Sequence, residues 1–308
     1  GDTVIFLPFI KALYKKFNTP ISILVKESSK ADQYLHQTSY IDKIILLERD
    51  QKTNNRHDGF LGIFNLVKDI KKYNFDKIII FNSSLRFYLI AKLSGIAEVY
   101  QYPLFKKTKQ HITDTPKKFI KEKFDLDVNE DPKIQINDIS ISKTVEKFKI
   151  NKDQINILLG VGGSGPTKRI PAYIFLDIIK KISEIKKCNF FLATGKENEE
   201  QDILNKILYS KFKNLCLPLD DLSIKETLPI IKNCDLSICN DSSFSHLSSA
   251  LGVKTITLMA DTPLIYGNYS SKMFPIIPDG EDTVTHNTLG KEKINSQKIF
   301  EKVIEILD

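Results

Sequence analysis

Short runs of Ile, Leu and Val alternate with amphipathic stretches along nearly all of the 308 residues, and this alternation restricts the fold more than any other feature. Apolar residues at helical spacing between short apolar runs indicate repeated β-α units. Such units form a parallel sheet with helices on both faces, so we predict an α/β fold. The predicted strands are residues 21–25, 43–47, 77–81, 155–159, 190–193, 215–217, 236–239 and 255–259. The predicted helices are residues 8–17, 29–37, 60–73, 172–185, 199–208, 224–233, 244–251 and 297–307, with a helix or turn at 142–148.

The alternation stops in a polar stretch, residues 125–138, and begins again at residue 155. We interpret this stretch as the approach to a linker between two Rossmann-like domains, residues 1–150 and 151–308. Ligands bind such domains at the carboxyl ends of the strands, so two in tandem predict a ligand-binding cleft between them. Because the chain opens at Gly1 without a methionine, we expect a first strand of the N-terminal domain to precede it.

The composition excludes several classes of protein. Hydrophobic residues make up 42% of the chain and charged residues 27%, which is typical of a globular domain and not of a disordered or fibrous chain. No apolar run has the length of a membrane-spanning helix. We expect a cytosolic protein without a secretory leader, in which the cysteines stay reduced. These cysteines are Cys188, Cys216, Cys234 and Cys239.

The net charge of +7 is unevenly distributed. Residues 1–150 contain 26 Lys and Arg against 18 Asp and Glu, a surplus of +8, whereas the remainder has −1. A basic half indicates an anionic partner, such as nucleic acid, a membrane surface or an acidic substrate. The alternative is that the lysines only keep the chain soluble. Basic runs occur at Lys106-Lys107 and Lys117-Lys118, but no RNA-binding motif accompanies them.

The strongest local signal is the motif Asn-Asp-Ser-Ser-Phe-Ser-His-Leu at residues 240–247, which follows an apolar strand and opens a helix ending at Gly252. Free backbone N–H groups at the start of a helix favour an anion such as phosphate. Because Asp241 is itself negative, we expect it to accept hydrogen bonds from sugar hydroxyls while the amides after it hold phosphate. The alternative is that these residues only cap the helix and that His246 is a packed, hydrogen-bonded histidine.

A second signal is the glycine-rich loop at residues 160–171, which follows a strand and contains four glycines, Lys168, Arg169 and Pro171. Glycines let a backbone approach phosphate closely, and Lys168 supplies a positive charge. The loop is neither a P-loop nor a GxGxxG dinucleotide fingerprint. A glycine-rich surface loop without a ligand is the alternative.

Asp2 is a candidate general base. If a strand ends just before it, its carboxylate faces the cleft and can accept a proton from a hydroxyl nucleophile. The alternative is an N-cap or a disordered terminus.

In this order along the chain, the motifs resemble those of the heptosyltransferase family, GT-B glycosyltransferases that extend the inner core of lipopolysaccharide. The resemblance extends over nearly the whole chain. Its N-terminal elements are Gly1-Asp2 with Pro8 and Ala12-Leu13, residues 41–45, and Ser84-Leu85-Arg86 with Ala91 and Leu93. Its C-terminal elements are residues 162–171, Thr194-Gly195 followed by residues 197–200, and Asn240-Asp241-Ser242 with Ser245-His246-Leu247 and residues 250–253.

The resemblance implies an inverting, metal-independent transfer of a sugar from a nucleotide-sugar, normally ADP-heptose, with no further cofactor. Asp2 takes the position of the family's catalytic base, and Lys168 that of the lysine that stabilises the leaving pyrophosphate. The other implied donor-binding residues are Gly163, Ser164 and Thr167 in the loop, Glu199 at the ribose, Leu222 at the base, Asp241 at the sugar, and Ser242, Ser243 and His246 at the phosphates. The basic half would then receive an anionic lipid or oligosaccharide acceptor at the cytoplasmic face of the inner membrane, and no nucleic acid is expected.

The pattern Asp125-Leu126-Asp127 matches the DxD motif of metal-dependent glycosyltransferases. It lies in the polar stretch and not at the end of an apolar strand, so we interpret both carboxylates as solvated. No cluster of His, Asp and Glu has convincing metal-ligand spacing, and we expect no metal site.

Three departures from the family pattern leave the donor open. Ser243 stands where the family has glycine, Ile170 where it has tryptophan, and residues 260–263 form an imperfect GPTDP loop. A GT-B transferase that uses a UDP-sugar, or an epimerase-like relative, is therefore an alternative. A non-catalytic nucleotide- or nucleic-acid-binding protein is another, favoured by the charge of the N-terminal half.

Overall fold

A computed structural model of the chain describes residues 1–49, 55–104 and 112–308. The basic run Lys106-Lys107 lies outside the described residues. The α-helices are α1 (Asp2–Ile5), α2 (Leu7–Phe17), α3 (Ala31–Leu35), α4 (Leu61–Lys71), α5 (Leu85–Leu93), α6 (Asp114–Phe124), α7 (Asp138–Phe148), α8 (Ala172–Ile185), α9 (Asn198–Leu208), α10 (Ile224–Lys232), α11 (Ser243–Ala250) and α12 (Ser296–Leu307). The strands are β1 (Ile21–Lys26), β2 (Ile41–Leu47), β3 (Lys77–Ile80), β4 (Glu98–Gln101), β5 (Ile155–Gly160), β6 (Cys188–Ala193), β7 (Cys216–Pro218), β8 (Leu236–Asn240), β9 (Lys254–Leu258) and β10 (Met273–Ile276).

Contacts between Cα atoms divide the chain into two compact units. The larger unit comprises residues 1–7, 33–38 and 130–308, and the smaller unit comprises residues 8–32 and 39–129. The predicted domain bounds at residues 150 and 151 stay a prediction.

The larger unit contains a parallel sheet of six strands in the order β10-β9-β8-β5-β6-β7. The central strands are buried on both faces, and Ile157, Leu158 and Leu159 of β5 are fully buried. Strands covered by helices on both faces read as continuous apolar runs, which is why the sequence predicted them correctly. The outer strand β10 escaped prediction because Pro275 interrupts a short apolar run.

The smaller unit contains two pairs of parallel strands, β1 with β2 and β3 with β4. Helices α4 and α5 pack against each other beside these strands. Their shared core is apolar and consists of Leu47, Leu66, Val67, Ile70, Ile90 and Ile96. The parallel β-α pattern predicted for this half is present, and the described residues show no pairing that joins the two pairs of strands into one sheet.

Most predicted elements agree with the structure to within two or three residues, and the predicted helix at residues 172–185 coincides with α8. The helix predicted at residues 29–37 is broken into a single 3-10 turn, Glu27–Ser29, and the short α3. Lys30 separates them with a left-handed backbone at φ 49°, a conformation that ends a helix. Helix α6 was not predicted because its sequence is mostly charged and contains Pro116 in the first turn.

The four cysteines are free, as predicted. Cys188, Cys234 and Cys239 are buried. Burial raises the pKa of the Cys188 thiol to about 11, so this thiol stays protonated at neutral pH and is a poor nucleophile.

Candidate active site

The two predicted ligand-binding loops follow neighbouring strands of the larger sheet. Strands β5 and β8 are parallel, with Gly160 opposite Cys239. From this central pair the strand order continues to β6 on one side and to β9 on the other. Open α/β sheets bind ligands in the crevice at the carboxyl ends of the strands where the order reverses. The Asn240 side chain donates a hydrogen bond from Nδ2 to the Val161 carbonyl over 2.8 Å, which joins the two loops. We call this place the β5–β8 crevice.

Lys168 and Asp241 form an ion pair in the β5–β8 crevice. Nζ of Lys168 lies 2.6 Å from Oδ2 of Asp241, although the two residues are 73 positions apart in the sequence. The Asp241 side chain is 5% exposed and that of Lys168 is 23% exposed. Burial by itself raises the pKa of Asp241, but the charge and hydrogen bond of Lys168, with smaller contributions from Thr262 and His246, together hold the pKa below its usual value. The carboxylate is therefore ionised, and the Lys168 side chain stays partly exposed to solvent.

The start of α11 offers further polar groups to a ligand. Ser242 is the N-cap, but its side chain makes no capping hydrogen bond. Its hydroxyl oxygen is buried and has no hydrogen-bond partner among the described residues. Ser243, the first residue of the helix, is exposed. A buried hydroxyl without a partner is costly in a folded protein, so this oxygen is available to a ligand that donates or accepts a hydrogen bond.

His246 lies one turn into α11 and is buried. Its ring stacks on Tyr269 with the ring centres 5.6 Å apart, and Nδ1 lies 2.7 Å from the Tyr269 hydroxyl. Burial lowers the pKa of His246 and raises that of Tyr269, so both groups are neutral at physiological pH. Nε2 lies 3.9 Å from Oδ1 of Asp241. The tautomer with hydrogen on Nε2 suits both neighbours, because the Tyr269 hydroxyl then donates to Nδ1 and an N–H group faces the carboxylate.

Asp2 is the first residue of α1 and is exposed. Helix α1 packs against α11, and Gly1 lies against His246: a Cβ atom built on Gly1 would be 2.7 Å from Nε2. The same His246 nitrogen lies 3.9 Å from Oδ1 of Asp241, so the residue next to Asp2 and the Asp241 carboxylate contact one ring. The structure thus brings the candidate base to the same corner as the Lys168–Asp241 pair.

A buried carboxylate that the sequence analysis did not assign to the site holds the glycine-rich loop. Oε1 of Glu200 accepts a hydrogen bond from the Gly163 N–H over 2.8 Å. The loop closes tightly around this group, since a Cβ atom on Gly162 would lie 2.5 Å from Oε1 and one on Gly195 would also collide with the carboxylate. Arg169 holds the other side of the loop by donating from Nε to the Gly163 carbonyl over 2.9 Å. Glu200 is also the third residue of α9 in a capping box, which is the signal that could have drawn attention to it.

The remaining predicted donor residues lie along the same edge of the sheet. Glu199 follows β6 and accepts a hydrogen bond on Oε2 from Arg169 over 2.6 Å. Leu222 follows β7, is half-buried, and donates its N–H to the Leu219 carbonyl over 3.0 Å. Thr167 is half-buried in the 3-10 turn Pro166–Lys168, and Ser164 is exposed. Strands β8 and β7 are separated by three strand spacings, about 14 Å in total, so this edge suits an elongated ligand.

The described part of the chain contains no group of three or more His, Cys, Asp or Glu side chains placed to hold a metal ion. Asp125 and Asp127 are mostly exposed, and both pair with Lys121, at 2.9 and 2.8 Å. The absence of a metal requirement stays a prediction.

Comparisons with known proteins show which family the chain resembles. A family model described as glycosyltransferase family 9 (heptosyltransferase) matches residues 63–273. The lipopolysaccharide heptosyltransferase 1 of Campylobacter coli is 29% identical over 164 residues, which are 52% of this chain and 47% of that protein. The matched part thus spans about half the length of this relative.

Solved structures resemble the chain over its whole length. The family 9 glycosyl transferase of Veillonella parvula has a TM-score of 0.77 at 16% identity, covering 100% of this chain and 94% of that one. The ADP-heptose lipopolysaccharide heptosyltransferase II of E. coli has a TM-score of 0.76 at 16% identity, covering 100% and 95%. These likenesses confirm the predicted GT-B fold class.

Proposed function

The chain belongs to glycosyltransferase family 9 (heptosyltransferase), and from this premise we propose that it transfers a sugar from a nucleotide-sugar to a hydroxyl group of an anionic glycan acceptor. The proposed donor is ADP-heptose, and the proposed acceptor is a lipopolysaccharide core or a related polysaccharide. The Lys168–Asp241 ion pair in the β5–β8 crevice is the observation that carries the proposal. It places a cation beside a carboxylate. A nucleotide-sugar needs both, because the cation can bind its diphosphate and the carboxylate can accept hydrogen bonds from its sugar hydroxyls.

The donor would use the groups of the crevice according to their charge. The Lys168 ammonium is the partner for the pyrophosphate, together with the start of α11 and the unpaired Ser242 hydroxyl. Lys168 is bonded to Oδ2 of Asp241, so Oδ1 is the oxygen that would accept hydrogen bonds from sugar hydroxyls. Glu199 retains Oε1 for a ribose hydroxyl while Arg169 holds Oε2.

The proposed reaction is a single displacement at the anomeric carbon. Asp2 accepts the proton of the acceptor hydroxyl while the hydroxyl oxygen attacks the anomeric carbon from the face opposite the diphosphate. The bond between the anomeric carbon and the phosphate oxygen breaks, and the nucleoside diphosphate leaves with the electron pair. Lys168 stabilises the negative charge that develops on the leaving group, and this interaction is stronger in the transition state than in the ground state. The configuration at the anomeric carbon is inverted.

The acceptor side of the proposal depends on charge. The surplus of Lys and Arg lies in residues 1–150, so an anionic lipid or oligosaccharide is the acceptor that suits this half. None of the helices within the described ranges has the length and hydropathy needed to cross a membrane. We propose that the protein works in the cytoplasm and reaches the inner membrane as a peripheral protein.

The first test measures thermal unfolding with ADP, UDP, GDP and CMP. A nucleotide at about 100 times its Kd adds about 2.7 kcal/mol of stability, which corresponds to a shift of roughly 5 °C for a chain of this size. We expect ADP to give this shift and Lys168→Ala to abolish it relative to that variant's own melting temperature. Lys181→Ala is the matched control, because Lys181 also pairs with an aspartate, Asp177, and is similarly exposed at 27%.

Each result has a definite meaning. An ADP-selective shift would be followed by a transfer assay with ADP-heptose. A UDP-selective shift would support the proposed glycosyltransferase activity but would contradict ADP-heptose as the donor and favour a UDP-sugar. No shift with any nucleotide would contradict the proposed donor site and favour a binding protein, whose affinity for nucleic acid should then fall steeply with salt.

A further inference from the structure

Two neighbouring helices of the smaller unit expose large apolar side chains. Phe60 and Leu61, at the start of α4, are 73% and 74% exposed. Phe64 lies one turn further and packs edge-on against Phe60, with the ring centres 5.4 Å apart. Helix α5 adds Leu85, Leu89 and Leu93, each between 42% and 50% exposed. We call these six side chains the α4–α5 face.

Helical periodicity separates this face from the core. In α4, residues Leu66, Val67 and Ile70 are buried against the core of the smaller unit. At 100° per residue, Leu61 and Lys68 fall on roughly the opposite side of the helix. Phe64 lies about 110° from the middle of the buried side, and Phe60 and Lys71 flank that side. The same spacing sets Leu85, Leu89 and Leu93 of α5 apart from the buried Ile90 and Ala91. Both helices therefore have a second, unpartnered side in addition to their core-facing side.

A hydrogen-bonded arginine brings the two apolar groups together. The Arg86 guanidinium donates from Nη2 to the His57 carbonyl over 2.7 Å and from Nη1 to the Gly59 carbonyl over 2.6 Å. Arg86 is the second residue of α5, and Gly59 directly precedes Phe60, the N-cap of α4. The amino ends of both helices are therefore adjacent.

The surroundings of the face are basic. Residues 60–93 contain six Lys and Arg against two Asp. Asp69, one of the two aspartates, accepts hydrogen bonds from Arg56, His57 and Lys72. The hydrogen bond from the Arg56 guanidinium holds the pKa of Asp69 well below the usual range. Lys68, Lys71 and Lys92 are exposed and form no ion pair within the described residues. The face thus joins exposed apolar side chains to a positive rim.

We propose that the α4–α5 face binds the surface of a bilayer that contains anionic phospholipid. Exposed aromatic and leucine side chains enter the boundary between headgroups and acyl chains, while lysines remain among the anionic headgroups. The positive rim decides between occupants, because a second copy of the same face would bring like charges together. The proposal rests on the proposed function for one point, that a lipid-linked acceptor requires the protein to reach a membrane.

The test is flotation of the protein with vesicles, without donor or acceptor. One vesicle contains phosphatidylcholine alone, and the other is an equal mixture of phosphatidylcholine and phosphatidylglycerol. We expect binding to the mixed vesicle, and a loss of at least about ten-fold in the double variant Phe60→Ser/Leu61→Ser. Lys68→Glu/Lys71→Glu should reduce binding by a similar or larger factor, because each lysine near an anionic surface contributes about five-fold in affinity.

Matched controls come from the exposed surface of the larger unit. Ile185→Ser/Tyr209→Ser removes two exposed apolar side chains, and Lys180→Glu/Lys206→Glu reverses two exposed charges. We expect less than about a two-fold change in either control, since neither pair lies on the proposed surface. Unfolding curves of all variants verify that the substitutions act on binding and not on folding.

Three outcomes would overturn the proposal. They are absence of binding to the mixed vesicle, equal loss in the controls, and a wild-type dimer that Phe60→Ser/Leu61→Ser converts to a monomer without any vesicle binding. The proposed transferase activity is tested apart from this surface, by transfer to a lipid-free acceptor. Failure of transfer with intact vesicle binding contradicts the proposed function only, and the reverse result contradicts the membrane surface only.

Discussion

The β5–β8 crevice and the α4–α5 face both present lysine, but in different surroundings. In the crevice, Lys168 faces the Asp241 carboxylate, which is almost completely buried, and a hydrogen bond to this carboxylate fixes the position of the Lys168 ammonium group. On the face, Lys68 and Lys71 extend into solvent beside exposed Phe and Leu side chains. The first arrangement suits a ligand with charges at fixed positions, and the second suits a fluid surface without fixed positions.

This difference determines how substitutions should act in each region. Groups that share one buried network lose function together when one member is removed, so effects in the crevice should be large and coupled. Groups that contact a surface separately contribute small, independent amounts. The predictions below test this contrast, beginning with the largest effect.

Asp2→Asn should reduce turnover by about a thousand-fold, because the amide cannot accept the proton of the acceptor hydroxyl. Nucleotide affinity should change by less than about two-fold, since the proposed base does not hold the donor. Steady-state kinetics with ADP-heptose and calorimetric titration with ADP measure the two quantities. Asp202→Asn, at an exposed position of α9, is the matched control. Normal turnover of Asp2→Asn would disprove the assignment of the base.

Lys168→Ala should lower the free energy of unfolding by about 2 to 3 kcal/mol at neutral pH, because it leaves the buried Asp241 carboxylate without its partner. Urea unfolding measures this loss. In Lys181→Ala, the remaining Asp177 is 39% exposed, so the loss should stay below about 1 kcal/mol. Equal losses in the two variants would show that the crevice pair is no more sensitive than a surface pair.

The same substitution should change the pH dependence of stability. In the wild type the folded-state pKa of Asp241 is lowered, so its contribution is present above the unfolded pKa near 4 and is lost as the pH falls through the folded-state pKa. Without Lys168, the largest contribution that lowers this pKa is lost while the effect of burial remains, so we expect the pKa to rise above the unfolded value. The carboxylate then destabilises the variant at neutral pH, and protonation relieves the penalty as the pH falls towards about 4. The stability difference from wild type should therefore shrink with falling pH, and a constant difference would contradict the argument.

Glu200→Gln should lower the free energy of unfolding by about 1 to 2 kcal/mol and weaken nucleotide binding several-fold. Its carboxylate accepts from the N–H groups of Gly163 and Glu197, and a glutamine has only one acceptor oxygen for the two donors. Glu226→Gln is the control, because Glu226 has the same place in the capping box of α10 but is exposed. Similar losses in both variants would indicate that Glu200 acts only as a helix cap.

The strands of the larger sheet other than β10 were predictable because buried parallel strands are apolar throughout and polar loops separate them. The contacts that make the site were not. Lys168 and Asp241 are 73 positions apart, and their pairing depends on β8 lying beside β5, an order that no local pattern records. The role of Glu200 was hidden for a related reason, since the sequence shows only an acidic residue in the first turn of a helix.

On the α4–α5 face, the sequence failed to predict an element and not only the contacts of known elements. Its helix α4 was predicted from apolar periodicity, but α5 carries apolar residues on nearly all sides and was not predicted as a helix. Periodicity reveals a core-facing side only when the other side is polar. Where the second side is apolar too, as with Leu85 and Leu89, only the exposure of the side chains in the folded structure identifies it.

Single substitutions on the face should have the smallest effects, and their additivity completes the contrast. Leu85→Ser and Leu89→Ser should each reduce binding to mixed vesicles by about five-fold, because each side chain is already about half-exposed without lipid. The double variant should lose the product of the two factors, since the side chains contact lipid separately.

In the crevice, Lys168→Ala/Asp241→Asn should instead cost less stability than the sum of its single variants, because removing both charges leaves neither one buried alone. Flotation measures the double-mutant cycle on the face, and urea unfolding measures the cycle in the crevice. If the two substitutions on the face are not additive, or if the two in the crevice are additive, the two regions do not differ as their surroundings indicate.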